Sequence, residues 1–200
     1  MKKLLVCSLT LVLFFGMVGA ASAALFTSKS NWATAAGGYS SWTSYGSERS
    51  TINSLMLDQL INFSTGVQVL NVGSSWATWS GGYTGDVLYT KGATSLTGTF
   101  STGYYAFGFE VEPNPYAVYD ITLTLADGSH ITQSVNGEGG AAFFGWVSDE
   151  AILSFTISSN VDFAIGNFVT GRAAVPEPTS MLLLGFGLIG LGALKRKSRR

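Results

Sequence analysis

From Gly66 onward, apolar side chains recur at every second position, and this periodicity constrains the fold more than any other feature. Tyr105, Phe107, Phe109 and Val111 alternate with Ala106, Gly108 and Glu110. Tyr119, Ile121, Leu123 and Leu125 alternate with Asp120, Thr122 and Thr124. Asp127-Gly128 then supplies hairpin-turn chemistry ahead of Ile131, Gln133 and Val135. Residues 67–70, 86–90 and 96–100 are further strand candidates, as are the apolar run 143–147, the alternating run 153–157 and the closing run 163–167. Short strands separated by Gly-rich turns predict a mainly β domain, an antiparallel sandwich or barrel, with a single jelly-roll-like β-sandwich the expected architecture. One or two short helices are expected near its start. One is capped by Ser28 or Ser30 and stops at Gly37-Gly38. The other covers residues 51–60, with Ile52, Leu55, Met56 and Leu60 near one face.

No covalent staple supports this domain. Cys7 is the single cysteine of the 200-residue chain, and it lies in an N-terminal apolar run. Without that run there is no disulfide, thiolate metal site or cysteine nucleophile. Charge narrows the partners. Between Ala24 and Val175 four basic residues face eleven acids, a net charge of −7. An acidic domain repels phosphate backbones, so no nucleic-acid partner is expected.

The ends carry addresses. Met1-Lys2-Lys3, the apolar stretch 4–19 and the small residues Ala21-Ser22-Ala23 have the layout of a secretory signal peptide. Cleavage between Ala23 and Ala24 is expected, with the Sec translocon and signal peptidase as partners. At the other end, the apolar run 181–194 is followed at once by the basic tail 195–200. It is short for a span of about 20 residues, but flanking residues and snorkelling basic side chains extend it. Basic residues favour the cytoplasmic side, which puts the domain outside. Before the run stands Val175-Pro176-Glu177-Pro178-Thr179, whose prolines keep the backbone extended and open to a protease.

The order of Val175-Pro176-Glu177-Pro178, a short polar step, a glycine-rich apolar helix and a basic cluster resembles the PEP-CTERM sorting domain. That resemblance implies a substrate of exosortase, an integral membrane cysteine protease that reads Pro176, Glu177 and Pro178. It implies a Gram-negative-type host that makes exopolysaccharide. It also implies an intermediate tethered to the inner membrane, then delivery to the cell surface or extracellular matrix. Three regions follow: a signal peptide (1–23), an ectodomain (24–174) and the sorting signal (175–200). Within the ectodomain, residues 106–111, 122–128, 143–146 and 163–168 are similar to a jelly-roll module common in PEP-CTERM proteins. Many relatives end this module with Asp-Asn-Phe; here Gly166 stands in place of the acid.

Chemistry-bearing residues are sparse. His130, the single histidine, follows the predicted turn at Asp127-Gly128-Ser129, and nothing nominates a nucleophile or an orienting acid for it. Glu110, Glu112, Asp120, Asp149, Glu150 and Asp162 are the carboxylates available to structural calcium, with no EF-hand loop or Asp-rich repeat to organise them. No cofactor is expected. Trp76, Trp79 and Tyr83 sit among Ser, Thr and Gly and are candidate glycan-binding residues, through stacking on sugar rings; packing at the sandwich edge is the competing role. The expected function is a non-enzymatic structural or adhesive component of an exopolysaccharide biofilm. A carbohydrate-binding module is the first alternative, and a secreted glycan hydrolase the second.

Overall fold

The computed structural model describes residues 23–171. The signal region through residue 22, the sorting residues Pro176, Glu177 and Pro178, the apolar run and the basic tail lie outside the described residues. Within them the protein has ten strands and one helix. The elements are β1 (Ala24–Phe26), α1 (Lys29–Ala35), β2 (Tyr39–Trp42), β3 (Thr51–Met56), β4 (Leu60–Asn71), β5 (Asp86–Tyr89), β6 (Ser95–Pro113), β7 (Val118–Leu125), β8 (His130–Asn136), β9 (Ala142–Ser158) and β10 (Phe163–Gly171). The strand order is β2-β10-β5-β4-β6-β9-β7-β8, with β1 added to β9, β3 added to β4, and a further pairing of β10 with β6. That last pairing closes a ring of neighbours, β6–β10–β5–β4–β6. All these strand pairings are antiparallel, as the alternating pattern predicts.

Helix α1 starts where the sequence places it. The Ser28 hydroxyl accepts a hydrogen bond from the Asn31 N–H, and the chain turns out of the helix at Gly37, φ 67°. Its Trp32 is fully buried, and the indole N–H donates to the Trp146 carbonyl at 2.9 Å.

The expected second helix over 51–60 is a β-hairpin instead. β3 turns at 57–59 into β4, with Met56 opposite Leu60. A register shift between Ile52 and Ser54 sets Asn53 alone against residues 63–66 of β4. Such a bulge changes the phase of alternation, so Ile52 and Leu55, three apart, both pack on the main core. A bulged strand therefore imitates helical spacing. Met56, expected on the apolar face, is exposed.

Two pairs of predicted strands are single long ones. Residues 96–100 and 105–111 belong to the 19-residue β6, and 143–147 and 153–157 to the 17-residue β9. Their mutual register shifts between Thr99 and Ala106. There the alternation changes phase: Tyr104 is buried and Tyr105, expected inside, is exposed.

The long strands bury both faces. Phe107, Phe109 and Val111 enter the main core with Phe144, Trp146, Phe155 and Phe168. On the opposite face Ala106 packs with Trp32, Phe143 and Val169 beneath α1. Small residues are needed there: a Cβ on Gly108 would lie 2.4 Å from the Phe143 ring. A third cluster forms under the segment 72–85, where Val72, Trp76 and Trp79 cover Leu70, Val87, Ala141 and Ala164.

Candidate functional site

Two glutamates on β6 organise this third cluster. Glu110 and Glu112 are two residues apart on an extended strand, so both side chains leave the same face of the sheet. It is the face away from Phe109 and Val111, and the segment 72–85 folds over it. Glu112 is completely buried. Its carboxylate accepts from the Trp76 indole N–H at 2.7 Å, the Thr78 hydroxyl at 3.1 Å and the Gly139 N–H at 2.8 Å. One side chain thus ties together a strand, the tryptophan segment and the β8–β9 turn. Burial raises its pKa above the usual carboxylate range, and these hydrogen bonds oppose the rise. Glu110 accepts from the Trp79 indole N–H at 2.6 Å. Burial lowers the pKa of Lys29, and the charge of Glu110 opposes that lowering in part.

The candidate glycan-binding residues come together here, but not as an open platform. Trp76 is 7% and Trp79 9% exposed, and both indole donors are taken by carboxylates. Trp76 packs against Tyr89 at 5.5 Å between ring centroids, and Trp79 against Tyr83 at 5.9 Å. Tyr83 is half-buried, and its hydroxyl donates to the Asp86 carbonyl at 2.7 Å. Stacking on a sugar needs a free ring face. The two tryptophans have their faces covered and serve as the wall and floor of this region.

Beside that wall is an open cleft of about 340 Å³, lined by Ser75, Trp76, Ala77, Thr78, Asn114, Tyr116 and Gly137. Apart from the buried Trp76, its aromatic group is Tyr116, 62% exposed. The sequence reading missed it, although its setting was visible in Pro113-Asn114-Pro115-Tyr116, two prolines that stiffen a turn beneath a ring. In the structure the Ala117 N–H donates to the Pro115 carbonyl at 2.8 Å. That bond makes a γ-turn with Tyr116 at its apex.

The remaining sequence candidates are dispersed. His130 opens β8, exposed, with its Nδ1 3.4 Å from the Gly128 carbonyl. Among the described residues no group of three or more His, Cys, Asp or Glu side chains is placed to hold a metal, so the six carboxylates considered for calcium are not gathered into one site. Asp162 is occupied locally, accepting from the Tyr89 hydroxyl and the Gly92 N–H. At the expected signal cleavage point, the Ala23 N–H donates to Asp127 at 3.1 Å and Ala24 opens β1, paired with Val147.

The last described residue, Gly171, is fixed between Tyr39 on β2 and Ala106 on β6. Directly beyond it, residues 174–197 match the family description of the PEP-CTERM protein-sorting motif. The chain carries a PEP-CTERM sorting motif. It is thereby marked as an exported protein sorted by exosortase, held at the membrane and then passed to the cell surface. The motif match covers residues 174–197 and does not extend into the described domain. No curated protein matches the chain. Among solved structures, a peptidoglycan O-acetylesterase is similar at 18% identity and TM-score 0.39, over 64% of this chain and 33% of that one. A variant of a family 29 carbohydrate-binding module is similar at 8% identity and TM-score 0.33, over 70% of this chain and 95% of that one. Among the described residues no helix is long and apolar enough to cross a membrane.

Proposed function

We propose that the PEP-CTERM chain is a non-enzymatic structural or adhesive component of the cell surface or extracellular matrix, in a host that builds an exopolysaccharide biofilm. The observation that carries this reading is the sorting motif at 174–197, which begins three residues after the last strand ends at Gly171. In this reading the ectodomain is a jelly-roll-like sandwich, exported by the Sec translocon and trimmed by signal peptidase between Ala23 and Ala24. The tail holds it in the inner membrane until exosortase acts at Pro176-Glu177-Pro178. The prolines fix an extended backbone, and Glu177 is the single charge in Val175-Pro176-Glu177-Pro178-Thr179.

The test is a Pro176→Ala, Glu177→Ala, Pro178→Ala triple variant expressed in a host that has exosortase. A longer, unprocessed form should accumulate in the inner membrane. Normal processing of the triple variant would overturn the sorting mechanism. Hydrolysis of a polysaccharide by purified protein would replace the structural reading with that of a secreted glycan hydrolase.

A further inference from the structure

We propose that the cleft between Thr78, Asn114 and Tyr116 is a binding site for a neutral polysaccharide, with Tyr116 as its stacking surface. This deepens the adhesive reading and rests on it. Three observations carry it, none of them the composition of the tryptophan segment.

The first is the display of Tyr116. A tyrosine left 62% exposed gives up most of the stabilisation its ring would gain by burial. Here it is also held still. The turn beneath it is closed by the Ala117 N–H to Pro115 bond, and the Gly137 N–H donates to the Ala117 carbonyl at 2.9 Å. Gly137 lies so close to Pro115 that a Cβ would sit 2.0 Å from the Pro115 carbonyl oxygen. A ring on a braced turn loses little conformational freedom on binding, which favours affinity.

The second is the polar lining. The Asn114 side-chain amide is oriented by the Tyr89 hydroxyl at 3.3 Å and by Asp162 at 3.4 Å. Among the described residues its carbonyl oxygen takes no hydrogen bond, so it is available to a sugar hydroxyl. Thr78, in the cleft lining, donates its hydroxyl proton to Glu112, which leaves its oxygen as an acceptor. Fixed acceptors beside a flat apolar ring suit a pyranose, whose faces carry C–H groups and whose rim carries hydroxyls.

The third is charge. Glu112 lies beneath the cleft and Asp162 beside it, in a domain of net charge −7 between Ala24 and Val175. An anionic uronate polymer would be repelled, so the ligand is a neutral hexose or N-acetylhexosamine chain. Glu112 acts as a positioning residue. It holds Trp76, Thr78 and the β8–β9 turn in one arrangement without reaching the ligand.

The experiment titrates the full exported chain, purified in detergent, with cellohexaose, mannohexaose and chitohexaose, and with polygalacturonate as the anionic comparison. Calorimetry should show binding of at least one neutral hexaose. Tyr116→Ala should weaken it about tenfold or more, and Tyr116→Trp should restore it. Tyr105→Ala, which removes an exposed tyrosine outside the cleft, should bind as the parent does. An unchanged Tyr116→Ala titration, a preference for polygalacturonate, or no binding of any neutral hexaose would overturn the site. Retention of the chain on washed cells is measured in parallel. Hexaose binding without retention defeats the adhesive reading and leaves the site standing. Retention without hexaose binding does the reverse.

Discussion

The tryptophan segment at 72–85 and the proline turn at 113–117 meet across one cleft, yet they treat their rings in opposite ways. The first is rich in Gly and Ser and buries Trp76 and Trp79 almost completely. The second is stiffened by prolines and holds Tyr116 in solvent. Loop composition suggests the reverse, since a flexible polar segment is the usual place to display a ring. The difference lies beneath them. Glu110 and Glu112 offer acceptors on the sheet face, and each captures an indole N–H. Once the polar tip is satisfied, the rest of a tryptophan gains by burial. Tyr116 rides on a turn whose backbone is already bonded to itself and to Gly137, which holds it off the sheet.

The largest effect should come from cutting into the buried side of this comparison. Trp76→Ala removes a ring that packs on Tyr89 and fills the third cluster, and should cost about 3–5 kcal/mol. Urea titration measures it. A loss below about 1 kcal/mol would mean that the segment is held by its backbone rather than by its rings.

Next comes the carboxylate that makes burial possible. Glu112→Ala leaves the Trp76 and Gly139 donors without their acceptor, at about 1–3 kcal/mol for each group that stays dry. Glu112→Gln keeps the shape and isolates the charge. Because burial raises the folded-state pKa of this acid, the folded state holds its proton to higher pH than the unfolded chain does. Its contribution is therefore full below the unfolded carboxylate pKa and is lost as pH rises through the folded one. Melting curves of parent and Glu112→Gln should diverge accordingly, the parent losing ground to the variant as pH rises from the ordinary carboxylate range toward neutrality. A difference that stays constant with pH would show that the charge is not felt.

A smaller change is Trp79→Phe, which keeps a ring in place and removes the indole donor to Glu110. That carboxylate is partly open to water, which replaces the lost bond. The cost should be about 0.5–1.5 kcal/mol by urea titration. A cost as large as that of Trp76→Ala would place Glu110 on the same footing as Glu112.

The same contrast marks what was legible in the sequence. Period-two alternation and the Asp127-Gly128 turn disclose β7 and β8, because a strand with a regular partner keeps its phase. In β10 the alternation holds through Ile165, before the register with β6 shifts between Gly166 and Val169 and Phe168 takes the core position in place of Asn167. Ser28 and Gly37 bounded α1 for equally local reasons. Alternation could not disclose β3, or the continuity of β6 and β9, because a bulge resets the phase and the resetting depends on the partner strand. The face buried by Ala106 and Gly108 read as solvent-side spacing, since small residues look polar-side until the helix and Phe143 above them are known. The same holds at the site. Trp76, Trp79 and Tyr83 were found as a group, but their burial depended on Glu110 and Glu112, some thirty residues away in sequence. Those glutamates read as calcium candidates at strand ends. Tyr116 escaped notice because a single tyrosine carries no spacing pattern.

Tyr116→Ala should have the smallest effect on stability, and the smallness is informative. The ring is mostly in solvent, and the γ-turn beneath it is made by backbone atoms of Pro115 and Ala117 that the substitution leaves in place. Surface changes away from buried polar groups fall within about ±0.5 kcal/mol. Alanine also accepts the backbone of this turn, so no strain is introduced. A shift of that size in urea titration, alongside the expected loss of hexaose binding, would separate display from packing within one cleft. The two tryptophans hold the wall and cost stability when cut, whereas the tyrosine contacts the ligand and costs affinity. A destabilisation above about 2 kcal/mol would instead place the Tyr116 ring in the fold's own packing, and the cleft would lose its stacking surface as an independent element.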